Sequence, residues 1–141
     1  MEYEILRLNL LSPLFYSPDN GADPFNCPED GERLFCFKLN QAQYLNFEPD
    51  KEGFIGSLIF SGKALDEGDT ELKGEASLEL PAGNYMFAQE KRLLNRDEII
   101  DMAIEIQSET LWQRLKPEGK LFLRYLYEDG NWVTQLFRPY L

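Results

Sequence analysis

The side chains that could do chemistry in this chain are carboxylates, aromatic rings and two cysteines, because the sequence contains no histidine. Histidine is the commonest general base and the commonest metal ligand, so a Ser-His or Cys-His nucleophile pair is excluded. Cys27 and Cys36 would form half of a zinc site at best. Their spacing allows a disulfide, but a single pair is weak evidence for one. We favour two reduced thiols, with Cys36 buried in the apolar run "RLFCFKL".

Acidic residues gather in two polar stretches, residues 17–32 and 66–75. The first stretch does not alternate oxygen ligands around a tight glycine turn, as a calcium loop does. A two-carboxylate glycosidase site agrees with the composition, but no acid stands at the end of a strongly buried strand. We therefore expect solvated acids that hold no metal and no cofactor. An acid activated by burial would still permit catalysis, so enzymatic activity stays open and a non-enzymatic role is favoured.

The balance of charge is strongly acidic, with 25 acidic against 14 basic residues and a formal net charge of -11. A surface of that sign repels phosphate backbones, which argues against direct nucleic-acid binding, and it favours a cationic ligand or a basic partner protein. The N-terminal run carries Glu2, Glu4 and Arg7, unlike a signal peptide, and no stretch approaches the length of a membrane span. We expect no membrane association and a cytoplasmic location.

Aromatic rings are the stronger functional signal, at 13% of the residues. Tyr85 and Phe87 follow a Pro-Ala-Gly turn, and further rings lie on one face of a C-terminal hairpin. Such rings line ligand pockets as readily as they fill cores, and the sequence alone leaves both roles open. The candidate ligand-binding residues are Tyr85, Phe87, Trp112, Tyr125, Tyr127 and Trp132.

The Pro-Ala-Gly turn lies in "LPAGNYMFAQ", residues 80–89, and is not a phosphate loop. It has one glycine and lacks both the Walker pattern and the dinucleotide-binding pattern. We predict a turn or bulge that bends a strand, with Gly83 or Asn84 in a positive-φ conformation. This turn would set the register of Tyr85 and Phe87.

The clearest helix is predicted to follow, over residues 95–115. Asn95 and Glu98 form a capping box at its start, and Lys116 and Pro117 end it. The apolar residues that repeat at helical spacing are Ile99, Ile100, Ala103, Ile104, Ile106, Leu111 and Leu115.

The chain ends in a predicted β-hairpin, with Asp129-Gly130 as a two-residue turn between strands at 120–127 and 132–138. One face then pairs Tyr127 with Trp132, Tyr125 with Thr134 and Leu123 with Leu136. The other face pairs Leu126 with Val133, Arg124 with Gln135 and Phe122 with Phe137. A slip of one residue would exchange the two faces.

The remaining segments predict strands at 2–10, within 33–47, at 54–65 and at 75–90, with loops at 17–32, 48–53 and 66–75. A chain of 141 residues without a linker is the size of one domain, residues 1–141. The fold class is α+β, an antiparallel sheet with a long helix packed on it and a C-terminal unit in the order β-α-β-β.

The C-terminal half, about residues 75–141, resembles GyrI-like small-molecule-binding domains, which also serve as effector-binding domains of transcription regulators. The matching words are "PAGNY" before the helix and "LFRPYL" at the end of the hairpin. The resemblance implies a pseudo-twofold pair of β-α-β-β units with a hydrophobic cleft between them for amphipathic or cationic compounds. In that family an acid on a hairpin strand often meets the ligand's charge, whereas this strand offers Leu123 and Arg124.

Two functions follow as hypotheses. The first is a non-enzymatic domain that binds a hydrophobic or cationic small molecule in an aromatic-lined cleft, in a regulatory or sequestering role. The alternative is an acidic interaction or inhibitor protein that binds a basic partner protein, in the manner of a gyrase inhibitor or a mimic of DNA charge.

Overall fold

The computed structural model describes residues 4–18, 23–25, 31–39, 57–64 and 78–141. These residues contain eight strands and one helix, so the predicted α+β class with an antiparallel sheet is confirmed. The strands are β1 (Leu6–Leu10), β2 (Leu14–Pro18), β3 (Arg33–Lys38), β4 (Ser57–Ala64), β5 (Leu78–Leu80), β6 (Gly83–Glu90), β7 (Lys120–Glu128) and β8 (Asn131–Pro139). The helix, α1, is Arg96–Trp112.

The eight strands form one sheet in the order β1-β6-β8-β7-β3-β4-β2-β5, which curls into a half-barrel. Its two outermost strands are each joined by a short bend to a strand inside the sheet. β1 pairs with β6, and after the bend β2 pairs with β5, so Leu10 lies opposite Gly83 and Leu14 lies opposite Leu80. The curl therefore brings the two ends of the sheet together along two bent segments of chain.

The bent segments differ from the sequence prediction at two points. Residues 75–90 were predicted as one bent strand, but β5 and β6 are separated by Pro81 and Ala82 and pair with different strands. The predicted loop at 17–32 begins too early, because Ser17 and Pro18 belong to β2 and pair with β4.

Side chains on each strand alternate between the two faces of the sheet and form two apolar clusters. The first cluster lies under α1 and takes its sheet residues mainly from β3, β6 and β7: Phe35, Phe37, Met86, Ala88, Leu121, Leu123 and Tyr125. The second lies on the inner face of the curl: Tyr16, Leu34, Cys36, Leu80, Tyr85, Phe122 and Phe137.

The start of α1 follows the predicted capping box. The Glu98 amide donates to the Asn95 side chain over 2.9 Å, and the Asn95 amide donates to the Glu98 carboxylate over 3.2 Å. Both bonds satisfy amides that the first helical turn leaves without intrahelical partners.

The end of α1 was predicted too late. The helix stops at Trp112, because Arg114 takes a φ of 60° and closes the last turn. The Arg114 amide donates to Leu111 and the Leu115 amide donates to Thr110, each over 3.0 Å. This pair of bonds is a Schellman motif, which satisfies the last carbonyls before Pro117 is reached.

The predicted hairpin is confirmed in every pair. Tyr127 lies opposite Trp132 and Phe122 opposite Phe137, with the four other pairs between them as expected. Asp129 and Gly130 both have positive φ, 51° and 81°, as the predicted two-residue turn requires.

Cys36 is a free thiol with no exposed surface. Burial raises its pKa from 9.0 to about 12, although the charge of Lys120 opposes the shift. The thiol is therefore protonated and unreactive near neutral pH. Cys27 and the predicted turns at 48–53 and 66–75 lie outside the described residues.

Within the described part of the chain, no helix is long and apolar enough to cross a membrane.

Candidate functional site

A pocket of about 140 Å³ opens at one end of the inner face, beside the Pro-Ala-Gly bend. The bend supplies residues 81–85, and the ends of β7 and β8 supply the facing wall. The other lining residues are Glu118, Lys120, Phe122, Pro139 and Tyr140. The pocket therefore lies where "PAGNY" and "RPYL" meet in space.

Three local features hold the bend in place. Gly83 adopts a φ of 148°, so the prediction of a positive φ at Gly83 or Asn84 is confirmed at the glycine. The Tyr85 hydroxyl donates to the Pro81 carbonyl over 2.5 Å and closes the bend. The Tyr140 amide donates to the Asn84 carbonyl over 3.2 Å, which ties the end of the chain to the bend.

The floor of the pocket is aromatic. The Tyr85 and Phe122 rings meet edge to face, with centroids 6.2 Å apart and planes at 85°. Burial raises the pKa of Tyr85 to about 12, and the charge of Glu118 adds to that shift. The hydroxyl thus stays neutral near pH 7, and its proton is engaged by the Pro81 carbonyl. Tyr85 and Phe122 each keep only 2% of their surface exposed, so the floor consists of buried rings.

The rim of the pocket carries two exposed charges of opposite sign, Glu118 and Lys120. Small residues at the bend, Ala82 and Gly83, leave the space that larger side chains would fill. The volume is close to the roughly 150 Å³ of an enclosed apolar cavity that holds one benzene molecule in another protein. Drug-sized ligands need about 300–1,000 Å³, which is more than this recess supplies.

The candidate ligand residues from the sequence fall at four separate places. Tyr85 lines the pocket, and Phe87 lies further along the inner face, packed on Phe137 with ring centroids 5.0 Å apart. Tyr125 lies on the opposite face, under α1, and its hydroxyl donates to the Pro24 carbonyl over 2.6 Å. Strand alternation separates Tyr125 from Tyr85, so one wall does not contain both.

The three other candidate residues lie away from the pocket. Tyr127 and Trp132 contact each other near the hairpin tip, with ring centroids 5.3 Å apart and planes at 72°. Trp112 stands at the end of α1 with 80% of its surface exposed. The structure thus joins Tyr85 to Phe87 through Phe137, and Tyr127 to Trp132 directly, while Trp112 stands apart.

A polar network crosses the inner face beyond the aromatic floor. One Glu32 carboxylate oxygen accepts from Arg124 Nε at 3.2 Å, from the same guanidinium's second nitrogen at 3.0 Å, and from the Tyr16 hydroxyl. Arg124 also donates to Gln135 over 3.1 Å, and Gln135 donates to Gln89 over 2.9 Å. Burial raises the pKa of Tyr16, so its hydroxyl remains a donor.

The sequence placed Arg124 opposite Gln135 but did not identify Glu32 as its partner. The position of Arg124 on the inner face could have indicated an acidic partner, because a partly buried arginine needs an acid or several acceptors. Glu32 is the last residue before β3, so the ion pair fastens the chain that enters this strand to the sheet. Because Arg124 is engaged by protein groups, the network is a structural tie rather than a ligand site.

No protein-family model matches the chain, and no curated protein matches it. Among the described residues, no group of three or more His, Cys, Asp or Glu side chains could hold a metal ion.

Proposed function

We propose that this chain is a non-enzymatic small-molecule-binding domain with a regulatory or sequestering role. The observation that carries the proposal is the 140 Å³ recess at the Pro-Ala-Gly bend, with an aromatic floor and a charged rim. A ring-sized apolar group would fill such a recess, because contact with its walls removes the group's surface from water. Glu118 and Lys120 would meet a polar substituent at the rim.

The order of the elements supports a second proposal, about the family to which the chain is related. We propose that β6, α1, β7 and β8 correspond to the β-α-β-β unit of GyrI-like domains, with the N-terminal half as its pseudo-twofold partner. The support is their order along the chain and the meeting of "PAGNY" with "RPYL" at one pocket. A cytoplasmic location belongs to the same proposal, because a free thiol at Cys36 suits a reducing compartment.

A thermal-shift comparison tests the pocket with benzylamine, benzoate and benzyl alcohol, which present one ring with a positive, negative or neutral end. A ligand at about 100 times its Kd stabilises the folded state by about 2.7 kcal/mol and raises the melting temperature by several degrees. We expect at least one compound to give such a shift. The charge preference reports whether Glu118 or Lys120 meets the substituent, and Glu118→Gln and Lys120→Gln should each change it.

A blocking variant separates the pocket from other binding surfaces. Ala82→Trp adds a large ring at an exposed pocket residue, and Ala64→Trp makes the same change at an exposed alanine of β4. We expect Ala82→Trp to abolish the shift and Ala64→Trp to keep it. Absence of a shift with all three compounds, or equal shifts in both variants, would contradict the proposal.

A further inference from the structure

The last two turns of α1 form one side of an open groove that shares no residue with the pocket. Its lining residues are Ile5, Glu105, Ser108, Glu109 and Trp112, and the space over this shallow, open groove is about 550 Å³. Trp112 exposes 80% of its surface there. A tryptophan so exposed on a helix is a feature of interaction surfaces, where it contributes large contact area at little entropic cost.

Helical spacing explains why these side chains share one face. Residues 105, 108, 109 and 112 stand at i, i+3, i+4 and i+7, so both carboxylates and the indole point to the same side. Ile5, which precedes β1, packs partly against the core beneath α1 and forms the facing wall. The groove thus lies between α1 on one side and Ile5 on the other.

A bridge of hydrogen bonds holds Glu109 in position. Gln113 donates to the Glu109 carboxylate over 2.8 Å, and Arg7 Nε donates to the Gln113 carbonyl oxygen over 2.7 Å. The bridge joins the end of α1 to β1 through neutral and charged groups. Arg7 keeps its positive charge at the edge of the groove, but its hydrogen bond is to the neutral Gln113 amide and not to either carboxylate.

The charge of the groove selects a cation. Its two ionisable residues are both acids, the last turn of α1 has no basic residue, and the whole chain carries a net charge of -11. A guanidinium or ammonium over the indole gains a cation–π attraction and stands beside two carboxylates. An anion would be repelled by the two carboxylates, and a wholly apolar segment would cover them without pairing their charge.

We infer that this groove docks a basic segment of a partner protein, with an arginine or lysine side chain lying on Trp112 between Glu105 and Glu109. The inference goes beyond the small-molecule pocket, because it concerns a different surface and a different class of ligand. It gives the acidic-interaction hypothesis a defined location on the molecule.

Fluorescence anisotropy with a labelled oligo-arginine peptide tests the inference on the full chain. We expect the double variant Glu105→Gln/Glu109→Gln to weaken binding roughly tenfold. The matched control, Glu79→Gln/Glu128→Gln, removes the same charge from two other exposed residues and should change binding less than about twofold. Equal losses in the two double variants would show attraction to net charge alone and overturn the groove.

Tryptophan variants test the aromatic part. Trp112→Ala should weaken peptide binding several-fold, Trp112→Phe should restore part of it, and Leu141→Ala, at a residue that is 78% exposed, should leave it unchanged. Unchanged binding in Trp112→Ala would contradict the inference. Sedimentation tests whether a second copy of the chain occupies the groove instead. A wild-type dimer that Trp112→Ala dissociates would assign the groove to that second copy and overturn the inference of a basic partner.

Discussion

The two faces of the sheet bury their side chains by different means. α1 covers one face and fills it mostly with aliphatic groups such as Ile100 and Ile106. The other face turns inward as the sheet curls and is filled largely by rings such as Phe122 and Phe137. A helix seals a face along its length, whereas the small residues of the Pro-Ala-Gly bend leave one end of the inner face open. The curl therefore creates the pocket.

Arg138 on the covered face and Arg124 on the inner face have different partners. Arg138 lies under α1 with no exposed surface and donates to the Gln107 side chain over 2.8 Å and to the Glu118 carbonyl over 2.9 Å. Arg124, on the inner face, is 17% exposed along its side chain and pairs with the Glu32 carboxylate. The covered face thus ties the helix to the sheet, while the inner face ties the chain that enters β3 to it.

The largest expected effect is on the free energy of unfolding, when a buried side chain on either face is truncated to alanine. Phe122→Ala should destabilise the fold by about 3–5 kcal/mol and Ile100→Ala by about 2–5 kcal/mol, because each removes buried contacts and leaves a cavity. Only Phe122→Ala enlarges the pocket, so it should gain binding of a two-ring compound such as naphthylmethylamine. Urea unfolding measures the loss of stability, and thermal shift measures binding of the two-ring compound. If Ile100→Ala also gained binding of that compound, the proposed difference between the two faces would be contradicted.

A smaller effect is expected at the inner-face ion pair. Glu32→Gln should cost about 1–3 kcal/mol, less than for a fully buried pair, because both partners keep some exposure to solvent. The exposed control Glu128→Gln should stay within about 0.5 kcal/mol of the wild type. Denaturant unfolding of a double-mutant cycle with Arg124→Met measures the coupling, and a coupling near zero would show that the pair does not fasten the chain that enters β3.

The smallest expected effect is a loss of stability at high pH, which we attribute to two buried groups on the inner face. Burial raises the pKa of Cys36 from 9.0 and that of Tyr85 from 10.0, each to about 12, so the folded and unfolded chains both hold these protons below about pH 8. At higher pH the unfolded chain releases protons that the folded chain keeps. Stability should therefore fall from about pH 8 to 12, by an amount on the order of 1 kcal/mol at pH 10.

Urea midpoints measured across this range check the pH effect. Cys36→Ala and Tyr85→Phe should each flatten the decline, whereas Tyr127→Phe, which removes an exposed hydroxyl, should not. A decline of the same steepness in Cys36→Ala and in the wild type would contradict the assignment of the thiol to the interior.

The sequence predicted the parts of the fold that local chemistry determines. Asp129-Gly130 specified the hairpin turn and hence its full register, and Asn95 with Glu98 specified the start of α1. The curl was not predicted, because it depends on β1 and β2 pairing with β6 and β5, far away in sequence. The end of α1 was missed because Arg114 adopts a positive φ that its residue type does not suggest.

The candidate site was predicted only in part, for a similar reason. The Pro-Ala-Gly turn pointed to Tyr85, which does line the pocket. Lys120 and Tyr140 reach the same pocket from the two ends of the hairpin, and nothing local in the sequence links them to the turn. Aromatic content also does not tell which face of a strand a ring occupies once the sheet is curved, so Tyr125 was grouped with Tyr85.

Backbone NMR on the labelled protein, titrated with the best of the three one-ring compounds, tests the central claim most directly. The account predicts that amide shifts concentrate at Ala82, Gly83, Asn84 and Tyr85 and at the facing residues Lys120 and Tyr140, and that Ala82→Trp removes them. Shifts concentrated at Trp112 or at the Tyr127–Trp132 pair, with the bend unchanged, would contradict it.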